Sequence, residues 1–240
     1  MNPLLRLHGV HTHIGKYHIL HGVDLDIEAG RIAVLLGRNG AGKTTTLRTI
    51  MGLWRASRGS VLLDAADITR RATPDIARAG IGYVPEDMGI FAALKVRENL
   101  LIAARSGPPD ESRLEWVLSL FPALKRFWET PAGALSGGQK QMLAIARALI
   151  EPRRLLLIDE PTKGLAPAVI QHMIDALLEL KRNAITVLLV EQNFHFAKSL
   201  GDTVHILDGG RVVYRATMAE LADDEQAQRR HLGLNLDAHQ

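Results

Sequence analysis

Three stretches of this chain carry residue types able to hold a nucleoside triphosphate and split it. The first is Gly37-Arg38-Asn39-Gly40-Ala41-Gly42-Lys43-Thr44-Thr45, which follows the apolar run Ile32–Leu36 and precedes a segment of helical pattern. A strand, a glycine-rich turn and a helix in that order are the context a phosphate-binding loop requires. Gly37, Gly40 and Gly42 let backbone N–H groups turn inward and approach phosphate oxygens closely. Lys43 supplies a point charge to the β- and γ-phosphates, the Thr44 hydroxyl can ligate magnesium, and the helix adds the positive end of its dipole. The second stretch is Asp159-Glu160, closing the apolar run Leu155-Leu156-Leu157-Ile158. A carboxylate at Asp159 can meet the magnesium held by Thr44, while Glu160 points the other way and can orient and polarise an attacking water. Glu160 is the expected catalytic residue, against the plainer reading of a solvated acidic pair at a strand end. The third stretch is Leu135-Ser136-Gly137-Gly138-Gln139. Ser136 reads as an N-cap of a helix running to 150, with Met142, Ile145, Ala146 and Leu149 on one face. A serine hydroxyl, two glycine amides and a positive helix end make a second phosphate site. One chain cannot easily bring both sites to opposite sides of one γ-phosphate; a second copy can.

The elements that must position these residues alternate between strand and helix, the pattern of an α/β fold with a largely parallel sheet. Strands are expected at 32–36, 81–84, 154–159, 186–190 and 203–207, the last turned by Asp208-Gly209-Gly210-Arg211 into Val212-Val213-Tyr214. Before residue 32, short strands bounded by Gly15-Lys16 and Ala29-Gly30 read as an antiparallel patch. From Pro85 to about 150 the pattern is helical (96–104, 111–121 and 136–150), interrupted by the loop Ser106-Gly107-Pro108-Pro109. This stretch is a candidate inserted lobe. The tail from Asp223 is polar and expected to fray.

At 240 residues and 47% hydrophobic content the chain can build one domain, or one core carrying a lobe. It has no cysteine, so disulfides and thiolate metal sites are excluded. Its longest apolar runs are strand-length, far below the ~20 residues that span a bilayer. Met1-Asn2-Pro3-Leu4-Leu5-Arg6 lacks the charged, apolar and small-residue pattern of a signal peptide. The chain is therefore expected to be soluble and to serve a membrane, if at all, from its surface. A net charge of +3 without lysine or arginine blocks gives no case for nucleic acid.

With these motifs in this order, residues 4–222 resemble the ATP-binding subunits of ABC transporters. The resemblance implies an α/β fold: a RecA-like P-loop NTPase core with an antiparallel β subdomain and an inserted helical subdomain. It divides the chain into a core of 1–86 and 151–222, a helical subdomain of about 87–150 and a tail of 223–240, all within one nucleotide-binding domain. It further implies ATP and Mg2+ as cofactors, and a head-to-tail dimer sandwiching two nucleotides. Each nucleotide would touch residues 37–45 of one copy and Ser136, Gly137, Gly138 and Gln139 of the other. The helical lobe would dock on transmembrane permease subunits, through residues between Glu86 and Arg105 including Phe91, Lys95 and Arg97. A solute-binding protein is an indirect partner, and the expected location is the cytoplasmic face of the inner membrane.

Departures from the broad family pattern narrow this further. Val84-Pro85-Glu86 has glutamate where the family usually has glutamine, and Glu86 would reach magnesium through water. Leu189-Val190-Glu191-Gln192-Asn193 has Gln192 where a histidine usually stands; it can hydrogen-bond the γ-phosphate but cannot titrate near neutral pH. Glu160 is followed by Pro161-Thr162-Lys163-Gly164-Leu165-Ala166-Pro167. Together these look like the second ATPase subunit of importers for branched-chain (hydrophobic) amino acids and their relatives for urea and short amides. Such a resemblance implies a related, non-identical ATPase partner, although a homodimer is equally compatible with the residues. The aromatic residue that usually stacks on adenine is replaced by Ile14, leaving Tyr17 or His13 to stand in.

Other readings stay in view. A non-transport ABC ATPase acting on DNA or ribosomes would use the same phosphate motifs, but no heptad array and no second cassette occurs here. An export or lipoprotein-release cassette would share the same engine, and the Glu86, Gln192 and Gly-Leu-Ala-Pro variants argue against it. His8, His11, His13, His18 and His21 invite a metal reading, and His11 and His13 would share a strand face. Exposed hairpin histidines are the simpler account, because no carboxylate cluster accompanies them. Trp54, Trp116 and Trp128 are too scattered for a base-stacking platform.

Overall fold

The computed structural model describes residues 3–105 and 107–233. Ser106 of the expected 106–109 loop and the tail beyond Gly233 lie outside the described residues. The chain opens with the hairpin β1 (Leu5–Ile14) and β2 (Tyr17–Ile27), enters strand β3 (Ile32–Leu36) and leaves through the glycine-rich turn into α1 (Lys43–Ile50). It returns to the hairpin as β4 (Ala56–Leu63) and β5 (Ala66–Asp67), completing an antiparallel sheet in the order β2-β1-β4-β5. Helix α2 (Thr73–Arg78) leads to β6 (Ile81–Val84). Helices then follow: α3 (Val96–Leu101), α4 (Glu111–Leu120), α5 (Pro122–Arg126) and α6 (Gly137–Leu149). From there β7 (Leu155–Asp159), α7 (Pro167–Arg182), β8 (Thr186–Glu191), α8 (Phe194–Leu200) and β9 (Thr203–Asp208) alternate. The chain finishes with β10 (Arg211–Thr217), α9 (Met218–Asp223), α10 (Glu225–Ala227) and a last turn over Gln228–Leu232.

The larger sheet has the order β10-β9-β3-β8-β7-β6, all parallel except β10. Parallel strands buried on both faces need continuous apolar sequence, which β3 (Ile-Ala-Val-Leu-Leu) supplies with every residue buried. Alternate side chains go to opposite cores. Val34, Leu36, Leu156, Ile158 and Leu189 pack towards the helices α6–α8, while Ala33, Leu35, Leu157, Leu188 and Val190 pack with α1 and the antiparallel sheet. Register then fixes the site. Leu36 pairs with Glu191 and Asp159 with Val190, so the chain leaves β3, β7 and β8 at one edge.

Met142, Ile145, Ala146 and Leu149 all enter the core, as the helical periodicity of 136–150 predicts. Asp208 pairs with Arg211 across Gly209 (φ 50°) and Gly210 (φ 72°), the left-handed pair that a tight hairpin demands. The helix expected over 96–104 stops at Leu101, and that over 111–121 stops at Leu120, where Pro122 starts α5. Over its described part, to Gly233, the tail is ordered rather than frayed. The Asp224 carboxylate caps Ala227 N–H at 2.8 Å, and buried Gln228 donates to the Leu221 and Ala222 carbonyls at 2.8 and 3.1 Å.

Candidate functional site

The glycine-rich turn is built so that only certain residues fit. Gly42 has φ 106°, and a Cβ there would stand 2.9 Å from Leu20 Cδ2. Lys43, 4% exposed, folds back over the loop and donates to the carbonyls of Gly37 (2.8 Å) and Arg38 (3.1 Å). Its Nζ lies 3.0 Å from Glu160 Oε1. Arg38, Asn39 and Gly40 form the exposed rim, Ala41 is buried, and Thr44 and Thr45 are half-buried at the start of α1. A cavity of about 380 Å³ opens beside the loop, lined by Ile19, Asn39, Gly40, Gly42, Lys43, Thr44, Thr45, Glu86, Glu160 and Lys163. A larger cavity of about 540 Å³ near Arg113, Trp116 and Asn183 contains none of the motif residues.

Asp159 is fully buried and neither carboxylate oxygen has a hydrogen-bond partner. Burial raises its pKa to about 6; the Thr44 hydroxyl opposes that rise, and the charges of Glu160 and Glu86 reinforce it. An unpartnered buried carboxylate facing a threonine hydroxyl is costly unless a hard cation completes it. These residues therefore fit magnesium. No cluster of three or more His, Asp or Glu side chains converges among the described residues. The remaining ligands of such an ion would be phosphate and water oxygens, as magnesium prefers.

Glu160 occupies a left-handed conformation (φ 45°), uncommon outside glycine and typical of strained functional positions. Its N–H donates to Val190 O at 2.9 Å. The Gln192 amide donates to Glu160 Oε2 at 2.8 Å and to Asn39 Oδ1 at 2.7 Å, joining three of the expected residues in one bridge. Glu86 borders the same cavity and is ion-paired with Lys163.

The structure does not bring Ser136, Gly137, Gly138 or Gln139 to this cavity within one chain. They form a separate helix tip. Ser136 Oγ accepts from Gln139 N–H at 3.3 Å, and Gln139 Oε1 accepts from Ser136 N–H at 2.9 Å. Gly138 is required by packing, since a methyl group there would collide with Val169. His13 and Tyr17 stand off the cavity. His13 stacks on His18 (4.1 Å between centroids) with its Nδ1 3.0 Å from Ser57 Oγ, and Tyr17 is 64% exposed. His11 also stacks on His18, at 5.1 Å.

Sequence reasoning missed Ile19, which lines the cavity from β2, and Lys163. It also missed β4 and α7. The segment Ser57-Arg58-Gly59-Ser60 has a broken apolar pattern because Gly59 (φ 81°) sits against the Gly9 backbone at a bulge. Helix α7 carries a readable apolar stripe at Met173, Ala176, Leu177 and Leu180.

The sequence profile of the ABC transporter family matches residues 20–163. The chain belongs to that family. It is an ATPase of the cassette type, which uses ATP with magnesium and energises a transporter. Among its relatives, the high-affinity branched-chain amino acid transport ATP-binding protein BraG of Pseudomonas aeruginosa is 39% identical over 96% of this chain and 100% of its own length. The lipopolysaccharide export ATP-binding protein LptB of Acidithiobacillus ferridurans is 30% identical, over 97% and 98%. The dimeric structure of a bacterial ABC transporter cassette superposes with TM-score 0.80 at 26% identity, covering 89% of this chain and 98% of that one. Among the described residues no helix is long and apolar enough to cross a membrane.

Proposed function

We propose that this ABC ATPase energises import of branched-chain or other hydrophobic amino acids, or of related small amides. The observation that carries this is the Asn39–Gln192–Glu160 bridge, in which the glutamine marking that subgroup rests on the catalytic carboxylate. The full-length likeness to BraG, stronger than that to LptB, supports it.

In this reading residues 37–45 cradle the phosphates and Lys43 neutralises their charge. Thr44 and Asp159 would hold magnesium, with Glu86 reaching it through water, and the ion would supply neutralisation of the phosphate charge. Glu160 accepts a proton from the attacking water, while Gln192 holds Glu160 in place and faces the γ-phosphate. The Ser136–Gln139 tip, remote from the cavity of its own chain, serves the nucleotide of a second ATPase subunit. The two ATPase subunits close head to tail, identical or related, and permease subunits follow through docking on the helical lobe at residues that include Phe91, Lys95 and Arg97. A solute-binding protein delivers cargo on the far side, and the subunit works peripherally on the cytoplasmic face of the inner membrane.

The test is co-purification with Glu160→Gln, which is expected to bind ATP, stop turning over and accumulate as a closed dimer, whereas Lys43→Ala loses nucleotide affinity. Membrane proteins of a hydrophobic amino-acid importer in the trapped complex support the assignment. Permeases of a lipid exporter there would overturn the substrate class. Full turnover by a strictly monomeric preparation would overturn the two-sided grip.

A further inference from the structure

Glu191 ends β8 only 2% exposed, yet it has no part in the phosphate chemistry above. Burying a carboxylate is costly, and burial pushes this one above the usual carboxylate range, opposed by the hydrogen bonds it accepts. Those bonds are divided between two segments. Oε1 accepts from the Thr162 N–H at 3.2 Å and from the Thr162 hydroxyl at 2.8 Å. Oε2 accepts from the N–H groups of Gln192 and Asn193, each at 3.1 Å. One oxygen thus grips the loop that begins immediately after Glu160. The other grips the backbone of the residue whose side chain bridges Asn39 and Glu160.

Lys163 of the first segment pairs with Glu86 and the Gln192 side chain reaches Asn39 and Glu160, but Glu191 is the buried group that holds both segments at their backbone. Gln192 is itself exposed, and an exposed amide on an unheld backbone would sample several rotamers. With its own N–H held by a buried carboxylate, and Glu160 held through its N–H to Val190, the two groups keep one relative position. We propose that Glu191 is a positioning residue for ATP hydrolysis. Its carboxylate ties Gln192 to the loop following Glu160, so that the Gln192 amide stays aimed at the Glu160 carboxylate. This rests on the assignment of Glu160 and Gln192 to the γ-phosphate.

Glutamine at 191 keeps the size of the side chain. Its amide nitrogen, however, must then face one of the two groups of N–H donors, which breaks that half of the brace. Glu191 lines no part of the nucleotide cavity, so nucleotide binding is spared while turnover suffers. For the full-length chain, Glu191→Gln is expected to hold MgATP affinity, read with a fluorescent nucleotide, within about twofold. Its kcat is expected to fall about 10- to 100-fold, the usual cost of losing an outer-sphere support. Because Glu191 acts through Gln192, the same change in a Gln192→Ala background should cost less than about threefold. Thr162→Val, which removes one of the four bonds, should lower kcat about fivefold, and Thr162→Ser should restore it.

Three results would overturn the proposal: wild-type kcat in Glu191→Gln, its full effect persisting in the Gln192→Ala background, or kcat and MgATP affinity falling together. Should Glu191→Gln fail to fold, equal kcat in Thr162→Val and Thr162→Ser would overturn it as well. The underlying assignment fails separately, by normal turnover in Glu160→Gln and Gln192→Ala.

Discussion

His205 gives a quantitative test of how the core treats charge. It lies in β9, paired in parallel register with Leu35 of β3, 6% exposed and with Nδ1 unpartnered. Burial lowers its pKa from 6.5 to about 4, with the charge of Arg215 acting in the same direction and Asp26 against it. Between those two values the unfolded chain binds more protons than the folded one, so stability is complete above about 6.5 and is lost as pH falls towards 4. At pH 5 the loss is about 2 kcal/mol, and it approaches roughly 3 kcal/mol at pH 4. Asp159 acts with the opposite sign. Its folded pKa, raised from 3.8 to about 6, makes it unfavourable at neutral pH and relieves that cost as it protonates below 6. The two trends overlap, so the pH curve of the wild type alone decides nothing. The difference between wild type and His205→Leu isolates the histidine. Denaturant unfolding at pH 7.5 and pH 5.0 should show the variant gaining about 2 kcal/mol relative to wild type on acidification. A gap that stays constant within about 0.5 kcal/mol would refute the reasoning, because it would mean His205 is protonated equally in both states.

Other outcomes follow from the site. The Glu86–Lys163 pair is solvent-exposed, so Lys163→Met should leave unfolding almost unchanged but tighten Mn2+ binding, measured by electron paramagnetic resonance, by leaving Glu86 uncompensated. Adding Glu86→Gln should reverse that gain. Gln192→Ala should lower kcat without altering the shape of the ATPase pH profile between 6 and 8, whereas Gln192→His should introduce a titration step there; a step that vanishes in Gln192→Ala would contradict the assignment. Because neither His13 nor Tyr17 lines the cavity, His13→Ala and Tyr17→Ala should each change ATP and GTP affinity less than about threefold, measured by nucleotide competition, whereas Ile19→Ala should weaken both.

What the sequence disclosed, and what it withheld, follows from the range of the interactions. The phosphate loop and the Ser136 tip are local: a strand end, a few glycines and a helix start lie within one short window, so spacing alone shows them. The buried strands are equally legible, because parallel strands covered on both faces must be apolar throughout. The Lys163–Glu86 pair joins residues 77 positions apart, and the Glu191–Thr162 brace spans 29, so no window contains either. Gln192 was readable as a departure from the family pattern, but its simultaneous hold on Asn39 and Glu160 depends on strand order. Strand β4 escaped notice for a different reason: Ser57, Arg58, Gly59 and Ser60 show no apolar alternation, and its register with β1 shifts twice over this stretch.

The same strand order explains why the buried charge is so concentrated. Lys43, Asp159, Glu160 and Glu191 are all nearly or fully buried, and all stand at the carboxyl edge where β3, β7 and β8 end. Neighbouring strands lie about 4.8 Å apart, so backbone register fixes the separation of Asp159 and Glu191, while the glycine-rich loop returns Lys43 to that edge and the Glu160 N–H is tied to Val190. The Ser136 tip has no such anchorage, because it sits on α6 in the helical stretch between β6 and β7. Its connection to the edge runs through the segment after β6. Glu86 at one end of that segment is held by Lys163, and at the other end Phe91 is held by Asn99, with bonds of 2.9 and 3.0 Å. Arg147 of α6 stacks on Phe91 at 4.8 Å and donates to the carbonyl of Gly89. A continuous run of contacts therefore leads from Glu86 at the cavity, through segment 86–91, to the helix that carries Ser136. The cavity and the Ser136 tip of one chain lie apart, but they are not structurally independent.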